Sequence, residues 1–130
     1  MSASDGGTAA SPSPPWPTAI DYDPAKKMLR VSFDSGEHFD LPAEYLRVES
    51  PSAEVQGHNA SEKKIVPGRN RVGIINIEPV GNYAVRLTFD DLHDTGIYSW
   101  RYLHELGRDR AVRWQSYLDA LAARGLTREP

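Results

Sequence analysis

From Met28 to Phe33 apolar and polar residues alternate, and Glu37-His38-Phe39-Asp40-Leu41 alternates again. Asp34-Ser35-Gly36 lies between them with a glycine suited to positive φ, so the two runs predict a β-hairpin. Pro42 to Arg47 predicts a short helix with proline in its first turn. A second short turn follows over Ser50-Pro51-Ser52-Ala53-Glu54-Val55, with Ser50 as cap and Pro51 as first helical residue. The chain is then polar and irregular from Gln56 to Arg71. Val72 to Glu78 carries apolar residues on both faces and predicts a central, well-buried strand. A turn at Pro79-Val80-Gly81-Asn82 leads to its antiparallel partner, Tyr83 to Phe89. After a turn at Asp90 to His93, a short strand passes through Ile97, and Ser99 caps a helix over Trp100–Leu106 that Gly107 should stop. In the final segment, 109–124, Trp114, Tyr117, Leu118 and Leu121 keep the i, i+3, i+4, i+7 spacing of one buried helical stripe, and Gly125 ends it.

Part of this pattern occurs twice. Phe33-Asp34-Ser35-Gly36 and Phe89-Asp90-Asp91-Leu92 lie 56 residues apart, and Tyr45-Leu46 and Tyr102-Leu103 lie 57 apart. Two copies are too few for a solenoid. They predict an α+β fold: one small, pseudo-symmetric antiparallel sheet from two hairpin-helix units, helices packed on one side, and a C-terminal amphipathic helix. Leu92 stands where the first copy has Gly36. Positive φ is costly for leucine, so that turn is either strained or of another type.

Residues 1–17 are small and polar, with Pro12, Pro14, Pro15 and Pro17 within six positions. This stretch reads as a disordered, proline-rich tail in which only Trp16 has the apolar surface to dock back. The expected domain is 18–107, with 108–126 packed on it as the C-terminal helix. A chain of 130 residues fits one domain of the usual ~100–150. No basic start precedes an apolar run at the amino end, which predicts no signal peptide, and no stretch approaches the ~18 apolar residues of a membrane span. The expectation is a soluble, cytoplasmic protein without membrane contact.

The chain has no cysteine, which removes disulfides, thiolate metal sites and cysteine nucleophiles. A net charge of −3 gives no overall attraction to nucleic acid. Asp90, Asp91, His93 and Asp94 are the densest set of oxygen and imidazole donors, although aspartates also favour turns for their own backbone bonds. His38-Phe39-Asp40 matches the H-x-D opening of an iron facial triad, but a solvated strand face explains it more simply. His58, Lys63, Lys64, Arg69 and Arg71 make one loop basic without interleaved aromatics. Tyr98, Trp100, Tyr102 and Trp114 are expected mostly in the core, an exposed one marking a protein-binding surface. No serine–histidine–acid motif, phosphate loop or dinucleotide fingerprint is legible, so no motif supports an enzyme.

Three runs carry a family resemblance: Leu41–Val48 continuing into Ser50–His58, Ile77–Val85, and His93–Trp100. They resemble the bacterial family of unknown function 971, which is similar to the amino-terminal domain of gamma-butyrobetaine hydroxylase and trimethyllysine dioxygenase. The resemblance spans roughly 18–107 and implies a small α+β domain. In those hydroxylases the domain holds zinc through three cysteines and a histidine. Laid on this chain, the cysteine positions fall on Ser50, Ser52 and Val55 and the histidine on His93. The resemblance therefore implies a degenerate zinc site, with no metal and no cofactor expected. The Ser50–Val55 turn should be held by capping and by burial of Val55.

Related domains are also fused to P-loop iron–sulfur carriers. The expectation is a non-catalytic accessory or protein-interaction domain whose partner is a protein, either a P-loop iron–sulfur carrier or an oxygenase, with no nucleic acid involved. The expected surface comprises His58, Lys63, Lys64, Arg69, Arg71, His93, Asp94, Tyr98 and Trp100. The alternatives are a metal-binding or cluster-delivery protein working with a P-loop carrier, and an enzyme on quaternary amines.

Overall fold

The computed structural model describes residues 15–130; residues 1–14 of the expected 1–17 tail lie outside the described residues, while Pro17 at its end already begins a strand. In chain order the elements are β1 (Pro17–Asp23), β2 (Met28–Phe33), β3 (His38–Pro42), α1 (Ala43–Val48) and α2 (Ala53–Gln56), then a 3-10 turn at Ala60–Glu62. After it come β4 (Ile74–Val80), β5 (Ala84–Phe89), β6 (Gly96–Ser99), α3 (Trp100–Arg108) and α4 (Arg110–Ala123). The α+β class is as expected.

The single sheet is not. The strands form two separate three-stranded antiparallel sheets, β1-β2-β3 and β4-β5-β6. Each copy contains one strand more than the hairpin pattern showed. β1, unread in the sequence, pairs with β2 from Pro17↔Phe33 to Asp23↔Met28, and Ile20 and Tyr22 pack against the core from it. Its counterpart β4 is an edge strand rather than a central one. A shift of register between Ile74 and Asn76 interrupts β4, where Ile75 stands exposed; Pro79, which cannot donate to a ladder, also belongs on an edge. β1 has the matching shift between Pro17 and Ala19.

The repetition extends to single hydrogen bonds. Gly36 N donates to Phe33 O and Leu92 N to Phe89 O; Phe33 N donates to Glu37 O and Phe89 N to His93 O. Asp34 Oδ1 accepts from Trp16 N, and Asp90 Oδ2 from Gly73 N. The turn at Leu92 is therefore the strained version of the glycine turn: φ is 71° at Leu92 and 91° at Gly36.

The two units close each other. Tyr45 in α1 donates its hydroxyl to Leu106 O in α3 at 2.7 Å, and Tyr102 in α3 donates to Glu49 O after α1 at 2.5 Å. Both pairs are offset by the same 57 residues. Between the units lies one core, including Leu29, Val31, Leu41, Leu46, Leu87, Phe89, Tyr98, Leu103 and Leu106. Tyr98, placed among candidate surface residues above, belongs to this core: it is fully buried and donates to Leu46 O at 2.6 Å. Burial pushes its phenol well above the usual range.

Two local expectations also change. Ser52, not Ser50, caps α2 by accepting from Glu54 N, because the Ser50 hydroxyl is engaged elsewhere. Gly107 does not stop α3, which continues to Arg108. The glycine is there for closeness, since a Cβ at this position would overlap the Phe39 ring. α4 ends as expected, with Gly125 at φ 64° and Leu126 N donating to Leu121 O. Tyr117 and Leu121 are buried from its stripe, while Trp114 meets Tyr45 edge-on at 6.2 Å.

Candidate functional site

The positions singled out by the resemblance meet at one corner, where the chain leaving α1 crosses the β5–β6 turn. Ser50 Oγ lies 2.8 Å from His93 Nε2, and Ser52 Oγ lies 2.7 Å from Thr95 Oγ1. Ser50 also accepts from Ser52 N through its hydroxyl and from Gln56 Nε2 through its carbonyl. Val55 is buried beside them at the end of the short turn capped by Ser52. On its other side the His93 ring places Nδ1 3.3 Å from Glu54 Oε1. With Glu54 beside Nδ1, the neutral tautomer that carries its hydrogen on Nδ1 turns its Nε2 lone pair to the Ser50 hydroxyl.

His93 is held neutral. Burial lowers its pKa from the ordinary value, the Arg47 charge lowers it further, and Glu54 and Asp91 only partly oppose them. Arg47 reaches the corner from α1, donating Nε to Asp91 Oδ2 at 2.8 Å, while Arg69 Nε donates to the same oxygen at 2.7 Å. Burial pushes the Asp91 carboxyl up, but the bonds from Arg47, the His93 amide and Arg69 outweigh it and hold the carboxyl below its usual range. Among the described residues Arg47 Nη1 is buried without a hydrogen-bond partner.

This donor set does not fit zinc. Two hydroxyls and a valine replace the thiolates, the one imidazole is committed at both nitrogens, and a guanidinium charge stands beside it. The aspartates of the turn do not converge on His93 either. Asp90 accepts from Gly73 N, Asp91 is taken by two arginines, and Asp94 is exposed. His38 and Asp40 also fail as a ligand pair, because Asp40 forms a two-bond pair with Arg30 on the outer face of the first sheet.

Ser50, His93 and Glu54 do form, in space, the serine–histidine–acid order that no motif showed. It is a closed arrangement: Ser50 is wholly buried and its oxygen is shared between an imidazole and a backbone amide. No face of the hydroxyl is open to a substrate. What the corner does is fasten the 49–57 segment to the β5–β6 turn by polar bonds.

The expected surface divides accordingly. His93 and Tyr98 are buried and leave it, because each completes an internal hydrogen bond. Trp100 is half-buried with its indole N–H on Asn82 O. Lys63 pairs with Glu49 and Arg69 with Asp91, while His58, Lys64, Arg71 and Asp94 remain exposed. Arg47, Glu54 and Thr95 were missed. Only Arg47 had a legible signal, being a charged residue on the apolar side of a short helix.

A family model described as gamma-butyrobetaine hydroxylase-like, N-terminal, matches residues 20–104. The chain belongs to this family. Two similar proteins have solution structures determined by NMR. One is 43% identical with a TM-score of 0.79, covering 91% of this chain and 93% of its own; the other is 44% identical with a TM-score of 0.80, covering 95% and 92%. A crystal structure of a protein of unknown function from Acidithiobacillus ferrooxidans ATCC 23270, of the DUF971 family, is 36% identical with a TM-score of 0.60, covering 70% of this chain and 91% of its own. No protein of curated function matches. For this member of the hydroxylase-like N-terminal family, no helix among the described residues is long and apolar enough to cross a membrane.

Proposed function

We propose that this domain is a non-catalytic accessory module that binds another protein through the β5–β6 turn. The observation that carries this reading is Leu92. It keeps a left-handed backbone that glycine would adopt without cost, and it leaves its side chain 79% exposed. Such a residue lowers stability and gains no packing in return, so its use lies outside the folded chain. The closed Ser50–His93 corner holds this turn in place from behind. Exposed Ile75, which precedes the β4–β5 pair Asn76↔Thr88, adds apolar surface to the same sheet.

The partner classes expected from the family resemblance are a P-loop iron–sulfur carrier and an oxygenase. The test is binding of each purified candidate to wild type, to Leu92→Gly and to Arg30→Ser as a distant surface control. Binding that Leu92→Gly abolishes and Arg30→Ser retains supports the reading; binding indifferent to Leu92, or binding to neither candidate, overturns it. Elemental analysis of the purified protein addresses the metal-free assignment, and one equivalent of zinc or iron would refute it.

A further inference from the structure

We propose that the cleft between the 63–65 segment and α4 binds a short aliphatic carboxylate. The cleft has a volume of about 290 Å³. Val48, Ile65, Val112 and Tyr117 give it apolar walls, and Glu49, Lys63 and Arg113 add a charged cluster to the lining.

That cluster carries more positive charge than it neutralises. Glu49 is buried, and its one carboxylate takes Lys63 Nζ on both oxygens at 3.1 Å and Arg113 Nη1 at 2.9 Å. Two cations on one anion leave a net charge of about +1 beside apolar surface. Neither cation is used up. Lys63 has three donor hydrogens, and among the described residues Arg113 engages Glu49 through Nη1 alone. The Arg113 guanidinium also lies over the Tyr102 ring at 5.7 Å. Lys64 adds a further positive charge to the lining.

The walls set the rest of the ligand. Val112 is 72% exposed, an apolar residue on α4 that nothing among the described residues covers. A carboxylate head on Lys63 and Arg113 with a few methylenes along Val112 and Ile65 would neutralise the excess charge and cover the valine together. An amine would meet two cations, and a bare anion would leave the walls wet.

The test is an NMR titration of the ¹⁵N-labelled full chain with hexanoate, alongside acetate, 1-hexanol and hexylammonium. Hexanoate should give saturable shifts at the amides of Ile65, Val112 and Ser116 with a millimolar Kd, as befits a ligand of few atoms, and added salt should weaken it. Acetate should bind about tenfold more weakly, and the alcohol and amine should leave those amides unmoved. Val112→Glu places a like charge at the mouth on an exposed residue, so the fold is kept while hexanoate binding falls by about tenfold or more. Arg113→Gln should weaken it similarly. Absence of saturable shifts, saturation elsewhere in the chain, an equal response to hexylammonium, or unchanged binding in Val112→Glu overturns the proposal.

Discussion

Ser50 and His93, 43 positions apart, share a 2.8 Å hydrogen bond with both side chains buried. The bond joins the segment after α1 to the β5–β6 turn, so its removal tests the corner directly. Ser50→Ala leaves His93 Nε2 without a donor and should cost about 1–3 kcal/mol in urea unfolding. A loss below about 0.5 kcal/mol would show that the corner is held by Val55 and Ser52 instead.

The same histidine makes stability depend on pH in a defined direction. Its folded pKa lies below the ordinary histidine value of 6.5, so on acidification the unfolded chain takes up a proton before the native chain does. Stability is then fully present above about 6.5 and is lost progressively as pH falls toward the lowered native value. Wild type should weaken between pH 7.5 and 5, ahead of carboxylate titration. His93→Gln should be weaker at pH 7.5 and nearly flat over that window; parallel curves for the two would exclude His93 as the cause.

Leu92→Gly should stabilise the protein. Relief of a left-handed leucine is worth roughly 1–2 kcal/mol, and the extra entropy of an unfolded glycine returns part of it, leaving about 0.5–1 kcal/mol. The exposed side chain adds almost nothing to the native state. A lowered melting temperature would mean that Leu92 makes internal contacts after all.

Gly107→Ala pits two effects against each other. Alanine gains about 1 kcal/mol of helix propensity, but its methyl would overlap Phe39. That ring is wedged edge-on between Phe33 and His104, at centroid distances of 6.1 and 5.5 Å, so it has little room to move. The clash should win, with a net loss of about 1–3 kcal/mol, and Phe39→Leu in the same chain should recover part of it. Additive losses in the double variant would contradict the contact.

Tyr45→Phe and Tyr102→Phe each strip a carbonyl of its partner, at Leu106 and Glu49. Each should cost about 1 kcal/mol. Because both bonds clamp the same pair of helices, hydrogen exchange at the ends of α1 and α3 should rise in either variant. Exchange confined to the mutated helix would argue against reciprocal closure.

Much of this was legible in alternation and turns: β2, β3, β5, α3, α4 and the repeat all follow from local patterns. The second sheet was not, because nothing in an alternating run says whether its neighbour lies in the same sheet. β1 was hidden by its nearness to a proline-rich stretch, although Ile20 and Tyr22 kept the strand period. β4 was misplaced as central because Ile75 looked like core, whereas the register shift turns it to solvent. At the candidate corner Ser50, Ser52, Val55 and His93 were found through family resemblance. Arg47 and Glu54 were not, since pairing across more than 35 positions depends on tertiary structure alone.

The matched offsets of Tyr45 with Leu106 and Glu49 with Tyr102 give the molecule two ends of one seam, built from corresponding residues. Ser50 corresponds to Gly107, Gly96 to Phe39, and Arg47 to His104. At one end a Cβ on Gly96 would come within 2.6 Å of Ser50 Oγ; at the other, one on Gly107 would overlap Phe39. At both ends the first half supplies the bulk, through Ser50 and Phe39, and the second the space, through Gly96 and Gly107, so it is the corresponding positions that exchange roles between the ends. In two identical chains every change would appear at both ends. A single covalent chain frees each end to change alone, so one has become a polar latch around Ser50 and His93 and the other an aromatic wedge around Phe39 and His104.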